Sequence, residues 1–124
     1  MGLIGDLKPW ASARKAQLRK LRARVFPEHR APLAVLAIMK NEALNVDEWI
    51  DHYIWQGADH LFIIDNGSTD DTVARIKASK HLSRITLLSR PERHRQGYHY
   101  RRVFLSERIK RRFQWLMVAD ADEF

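Results

Sequence analysis

Two aspartates one residue apart, Asp120 and Asp122, stand at the end of the apolar run 113–119. Carboxylate oxygens at that spacing suit a hard divalent cation, Mg²⁺ or Mn²⁺, which keeps coordination positions open for phosphate oxygens. Such a cation neutralises a departing diphosphate as a Lewis acid. An acidic stretch in solvent has the same composition, so the pair informs only together with its surroundings. Asp65 closes a second apolar run, with Asn66, Gly67 and Ser68 after it. A carboxylate there can accept an N–H from a nucleobase edge. The same four residues also suit an Asx turn into a helix, and the two roles are compatible. Asn41 and Glu42 follow a third run, where they either face the same ligand or shape the loop into the next helix.

Basic residues add a second theme. Nine of them lie between Arg90 and Arg112, against two acids, Glu92 and Glu107. Arg90, Arg93 and Arg95 fall just after a strand-like run and are candidates to pair with a diphosphate. Arg101, Arg102, Arg111 and Arg112 read as a solvated helix face. The six histidines form no HExxH motif and no convincing zinc spacing. His52 reads as a packing residue, and His94 and His99 as members of a loop or its flank.

The elements that must position these side chains follow from periodicity. Residues 33–39 form a short continuous apolar run, as expected of a strand buried on both faces. Val46, Trp49, Ile50, Tyr53 and Ile54 recur at helical spacing, with Asn45 and Glu48 placed for a capping box and Gly57 for the stop. Residues 60–65 are a second strand. Ser68 or Thr69 is expected to cap a helix through about residue 79, with Asp70 and Asp71 in its first turn. Residues 84–89 are a third strand, 91–97 a loop, about 98–110 a helix and 113–119 a fourth strand. The order β-α-β-α-β-α-β predicts an α/β fold, a mostly parallel four-stranded sheet flanked by helices. Every polar cluster named above then falls at the carboxyl end of a parallel strand, where open α/β sheets bind ligands.

Residues 1–31 read as a separate, helical basic segment. Eight basic residues and one acid, Glu28, lie between Lys8 and Arg30, and Trp10, Leu18, Leu21 and Val25 give a partial apolar stripe. The segment reads first as a solvated helix and second as a contact with an anionic membrane surface. The domain proper is expected over 32–124. The 124-residue chain has 45% hydrophobic and 30% charged residues, as an ordinary folded domain does. It has no cysteine, which excludes disulfides, thiolate metal sites and cysteine nucleophiles. Its net charge of +7 favours polyanionic partners without choosing among them. A nucleic-acid-binding domain is an alternative on charge alone, but no zinc-finger or helix-turn-helix signature and no aromatic strand face accompanies the charge. Neither GxGxxG after the first strand nor a P-loop occurs, which removes the usual phosphate loops of dehydrogenases and P-loop enzymes.

Taken in order, AIMKNE at 37–42, EWIDHY at 48–53, GADH at 57–60, IDNGSTD at 64–70, Thr72 and DADEF at 120–124 resemble the family 2 glycosyltransferases. The likeness is strongest to their bacterial branch that also resembles family 92, and it covers about residues 32–124. The resemblance implies a Rossmann-like GT-A fold whose nucleotide-sugar-binding half has strand one between strands two and four. It implies metal-assisted transfer of a sugar from a nucleotide-diphosphate sugar to a glycan or lipid-linked acceptor in cell-surface glycan synthesis, in the cytoplasm or at the inner face of the membrane, with no nucleic acid involved. Carried over by residue, the donor would meet Asn41, Glu42, Asp65, Asn66, Ser68 and Asp120. Asp65 would hold the base and Asp120 the ribose or sugar. Asp122, with Asp120, would hold Mg²⁺ or Mn²⁺. The family's chain continues past its DxD motif and there supplies the general base. The expectation is therefore an N-terminal fragment with no assignable catalytic base, inactive by itself, with strand four left as an open edge. An inactive remnant is the companion reading.

Overall fold

Residues 31–123 are described by a computed structural model. In chain order they form β1 (Ala31–Met39), α1 (Val46–Trp55), β2 (His60–Asp65), α2 (Thr72–Lys77), a 3-10 turn (Leu82–Arg84), β3 (Ile85–Ser89), α3 (Gln96–Ser106), α4 (Ile109–Arg112) and β4 (Phe113–Val118). The basic segment expected before residue 31 lies outside the described residues. All strand pairs are parallel, in the order β3-β2-β1-β4. The α/β architecture is thus as the alternation implied, and the place of β1 between β2 and β4 as the resemblance implied.

Alternate residues of β1 and β2 feed two cores, because successive side chains leave opposite faces of a sheet. On one face Val35, Ala37 and Met39 of β1 and Leu61 and Ile63 of β2 pack with Val46, Trp49, Ile50 and Tyr53 of α1 and Ile76 of α2. On the other, Ala34, Leu36, Phe62 and Ile64 pack with Val103 of α3, Ile109 of α4 and Phe113. Burial on both sides is why β1 and β2 read as unbroken apolar runs rather than alternating ones. No helix among the described residues is long and apolar enough to cross a membrane.

Several local expectations are corrected. Asn45 does not cap α1: its backbone is already helical, and its side chain turns to Glu42 Oε2 at 3.4 Å. The Glu42 carbonyl instead accepts from the N–H groups of Asn45 and Val46. Gly57 does stop the helix. At φ 106° its N–H meets the Ile54 carbonyl and the next N–H meets Tyr53, a Schellman pattern that favours glycine. Neither Ser68 nor Thr69 caps α2. That helix starts at Thr72, whose N–H meets Asp70 Oδ1 at 3.0 Å, so Asp70 and Asp71 precede its first turn, and it ends at Lys77. The helix expected over 98–110 is two helices, broken where Arg108 takes a left-handed φ of 52°. β1 starts two residues early, which moves Ala31 from the basic segment into the sheet.

His60 gives the fold a pH dependence. Half-buried at the start of β2, its ring stacks near Phe62 and Phe113, with Nε2 2.7 Å from Thr86 Oγ1. Burial, then the cations Arg112 and Arg84, hold its pKa below the ordinary 6.5. The unfolded imidazole takes up a proton near that value and the folded one resists, so this contribution is present above it and is lost as the pH falls below it. The thermal midpoint should therefore drop from about pH 7.5 to about pH 5.5, and drop less in His60→Gln. Scanning calorimetry of both proteins at the two pH values checks this; equal slopes would remove His60 from the account.

Candidate active site

Strand order sets where a ligand can enter. The chain runs outward from β1 to β2 and β3, then returns to β1's other side as β4. Sheets of this kind open a crevice beyond the carboxyl ends of the two strands at the reversal, here β1 and β4. Met39, Asp65 and Ser89 lie side by side in register at the ends of β1, β2 and β3. The Ala119 N–H still meets the Leu36 carbonyl at 3.0 Å, so Asp120 leaves the sheet on β1's other flank. Asn41, Glu42, Asp65, Asn66, Ser68, Asp120 and Asp122 therefore all follow strand ends at one edge.

The loop after β1 is built around Asn41. Its left-handed φ of 56° is a conformation asparagine tolerates better than most residues. Its carboxamide oxygen accepts from the Thr69 N–H at 2.7 Å, the Asp70 N–H at 3.3 Å and the Thr69 hydroxyl at 3.3 Å. In return the Asn41 N–H donates to Ser68 Oγ at 3.0 Å, Glu42 N–H to Thr72 Oγ1 at 2.9 Å and Ala43 N–H to Asp70 Oδ2 at 3.2 Å. The loops after β1 and β2 are thus laced into one wall. Asp70 holds its share as an anion: its pKa lies below the ordinary value, chiefly through the Thr72 hydroxyl.

Asp65 is 7% exposed and accepts the Ser68 N–H on both carboxylate oxygens, at 3.2 and 3.4 Å. This is the Asx turn allowed above, and it leaves further lone pairs on the carboxylate. Asn66 commits both amide donors to protein, to the Arg90 carbonyl at 2.6 Å and the Glu92 carbonyl at 2.9 Å. It ties the basic loop to β2. Among those arginines, Arg90 Nη1 donates to the Ser89 carbonyl at 2.8 Å and Arg95 stacks 4.7 Å over Tyr98. Arg112 is more than a solvated face residue, lying 5.4 Å from the Phe62 ring centroid and 5.3 Å from that of Phe113. His99 lies on α3 at the flank of that loop and is only 1% exposed, with Nε2 3.0 Å from the same Glu92 carbonyl that Asn66 holds.

The turn carrying Asp120 and Asp122 hangs on α1. Trp49 Nε1–H donates to the Asp120 carbonyl at 3.0 Å, and the Tyr53 hydroxyl donates to the Glu123 carbonyl at 2.7 Å. Glu123 closes the turn, accepting the Asp120 N–H on Oε2 at 3.1 Å while its own N–H meets the Asp120 carbonyl. Burial, then Glu123 and Asp120, raise the Tyr53 pKa, which keeps the phenol a donor. Trp49 and Tyr53, which periodicity marks only as positions at helical spacing, are the supports that it does not reveal. The available signal was the polar atom each carries, which needs a partner once buried.

Asp120 and Asp122 are exposed, and neither carboxylate has a protein partner among the described residues. No group of three or more His, Cys, Asp or Glu side chains among those residues could enclose a metal ion. Two carboxylates on an open turn fit Mg²⁺ or Mn²⁺ better than a cation needing an all-protein cage, because these ions keep waters and take substrate phosphates as ligands. A groove of about 780 Å³ lies elsewhere, lined by Glu48, Asp51, His52, Ile54, Trp55, Lys80 and His81 on α1's outer side. It shares no residue with the strand-end cluster.

Residues 34–124 match the family model described as glycosyltransferase family 92. No curated protein matches the chain.

Proposed function

This chain belongs to glycosyltransferase family 92, and from that premise we propose that its strand-end cluster is the nucleotide-sugar donor site of a GT-A-type transferase close to family 2. The observation that carries this reading is the placing of Asn41 and the Asp120-Ala121-Asp122 turn at the reversal of strand order, with Asp65 beside Met39 at the end of the neighbouring strand. In it Asp65 accepts an N–H of the base. The wall laced by Asn41, Glu42 and Ser68 borders the donor on one side, Asn66 holds the basic loop beside it, and the Asp120 carboxylate receives ribose or sugar hydroxyls. Asp122, with Asp120, holds Mg²⁺ or Mn²⁺, which when bound offsets the charge of the leaving diphosphate. We assign no general base among the described residues. The acceptor is a glycan or a lipid-linked molecule, and the chain works in the cytoplasm or at the inner face of the membrane.

Titration calorimetry tests the donor site. UDP or GDP should bind in the presence of Mn²⁺, at least about tenfold more weakly without it, and undetectably to Asp122→Ala with Mn²⁺ present. Unchanged affinity in that variant would remove the DxD turn from the site, and failure of a folded chain to bind either nucleotide would overturn the donor-site reading.

A further inference from the structure

A buried ring nitrogen on α3 carries a cost that packing alone does not justify. His99 is 1% exposed. Its Nε2 lies 3.0 Å from the Glu92 carbonyl, which can only accept, so Nε2 carries the hydrogen. The same nitrogen is 3.9 Å from the Glu92 carboxylate. Nδ1 is buried with no hydrogen-bond partner among the described residues. A buried polar atom left without a partner is costly, and an aliphatic side chain of similar volume would avoid that cost. Nor does the Glu92 carbonyl need the ring to be satisfied, because the Asn66 amide already serves it at 2.9 Å. What His99 adds is a second hold on one loop.

That loop is pinned from two elements. The Arg90 N–H meets the Asp65 carbonyl at 2.8 Å, and Asn66, just after β2, donates to the carbonyls of Arg90 and Glu92. From the other side α3 reaches Glu92 through His99. Directly past the pinned carbonyl come Arg93, His94 and Arg95, with His94 in the left-handed region at φ 57°. Arg95 is taken up over the Tyr98 ring, and Arg93 is the cation next to the pinned carbonyl. Strand order says which part of a donor this loop meets. β3 stands outside β2, on the far side from β1 and β4. A donor whose base meets Asp65 and whose diphosphate meets the Asp120–Asp122 turn runs away from β3, so the loop after β3 borders its base end. A guanidinium suits that place, since it donates to acceptor atoms on a base edge and stacks on the ring face.

We propose that His99 is a positioning residue for the nucleotide: with Asn66 it fixes the Glu92 carbonyl so that Arg93 meets the base of the donor rather than its diphosphate. This rests on the donor-site reading above, and the test separates the two. Whichever of UDP and GDP binds the full chain with Mn²⁺ is titrated alongside its monophosphate, the latter by displacement. His99→Leu should weaken both by the same factor, about five- to tenfold, the scale of one hydrogen bond lost. His99→Gln, whose amide N–H can stand in for Nε2–H, should restore affinity to within about twofold of wild type. Arg93→Gln, at an exposed position, should weaken both nucleotides as much as His99→Leu does, and the double variant no more than either alone, because the two residues act as one unit. The thermal midpoint of His99→Leu should stay at or above that of the wild type, since the bare Nδ1 is gone and the Glu92 carbonyl keeps Asn66. A loss confined to the nucleoside diphosphate would put Arg93 on the phosphates, unchanged affinity in His99→Leu would leave the ring no role at the site, and a lowered midpoint would make it a packing group; each overturns the proposal. A folded wild-type chain that binds neither nucleotide overturns the donor-site reading and this proposal with it.

Discussion

Replacing Trp49 with alanine should cost about 3–5 kcal/mol of unfolding free energy, the range for deleting a large aromatic from a close-packed core. Trp49 is fully buried on the inner face of α1, its ring centroid 4.8 Å from that of Tyr53, among Val35, Ala37 and Ile50. Urea unfolding checks the figure. Trp49→Phe separates packing from hydrogen bonding, because it keeps most of the ring and deletes the donor to the Asp120 carbonyl. It should cost only about 1 kcal/mol, the scale of one hydrogen bond, because the Asp120 carbonyl keeps the Glu123 N–H. If the donor-site reading is right, Trp49→Phe also loosens the Asp120–Asp122 turn and weakens Mn²⁺-dependent nucleotide binding beyond its loss of stability. An alanine variant as stable as wild type would show that α1 does not hold this core.

Asn41→Ala should be the most disruptive single change among the loop residues. It places a Cβ-bearing residue with no polar side chain at φ 56° and deletes the acceptor shared by Thr69 and Asp70. Backbone strain of about 1 kcal/mol and the lost hydrogen bonds together predict a loss of about 2–3 kcal/mol. Thr69 and Asp70 are exposed, so their freed N–H groups can turn to water, which keeps the figure below that of a buried network. Asn41→Gly keeps the backbone conformation and should recover about 1 kcal/mol of the loss. Chemical denaturation of the three proteins gives the comparison, and equal stability of the alanine and glycine variants would refute the strain argument.

How much of this was legible beforehand depends on the range of the interaction concerned. Burial on both faces leaves a continuous apolar run, so the strands at 33–39 and 60–65 could be read within one or two residues of Ala31–Met39 and His60–Asp65. Alternation of strand and helix implied a parallel sheet, and the polar residues ending each strand marked its carboxyl edge. Caps were misread because side chains of Asn, Ser, Thr and Asp choose among several nearby backbone partners, and the choice turns on φ and ψ. Asn45 is helical and Asn41 left-handed, a difference no composition rule supplies. The break of the helix at Arg108 was equally hidden, since arginine is a good helix former and nothing local requires its φ of 52°.

The sequence by itself determined the α/β class, the parallel sheet and the set of polar residues at strand ends, because these follow from side-chain period and chain order. Tertiary structure alone decided how those residues are held: Asn41 bonded to a loop 28 residues away, Trp49 and Tyr53 suspending a turn about 70 residues away, and His99 and Asn66 sharing one carbonyl. The reason is physical. Period and turn chemistry act within a few residues, whereas a buried donor finds its acceptor only after the sheet has brought distant segments within hydrogen-bonding distance.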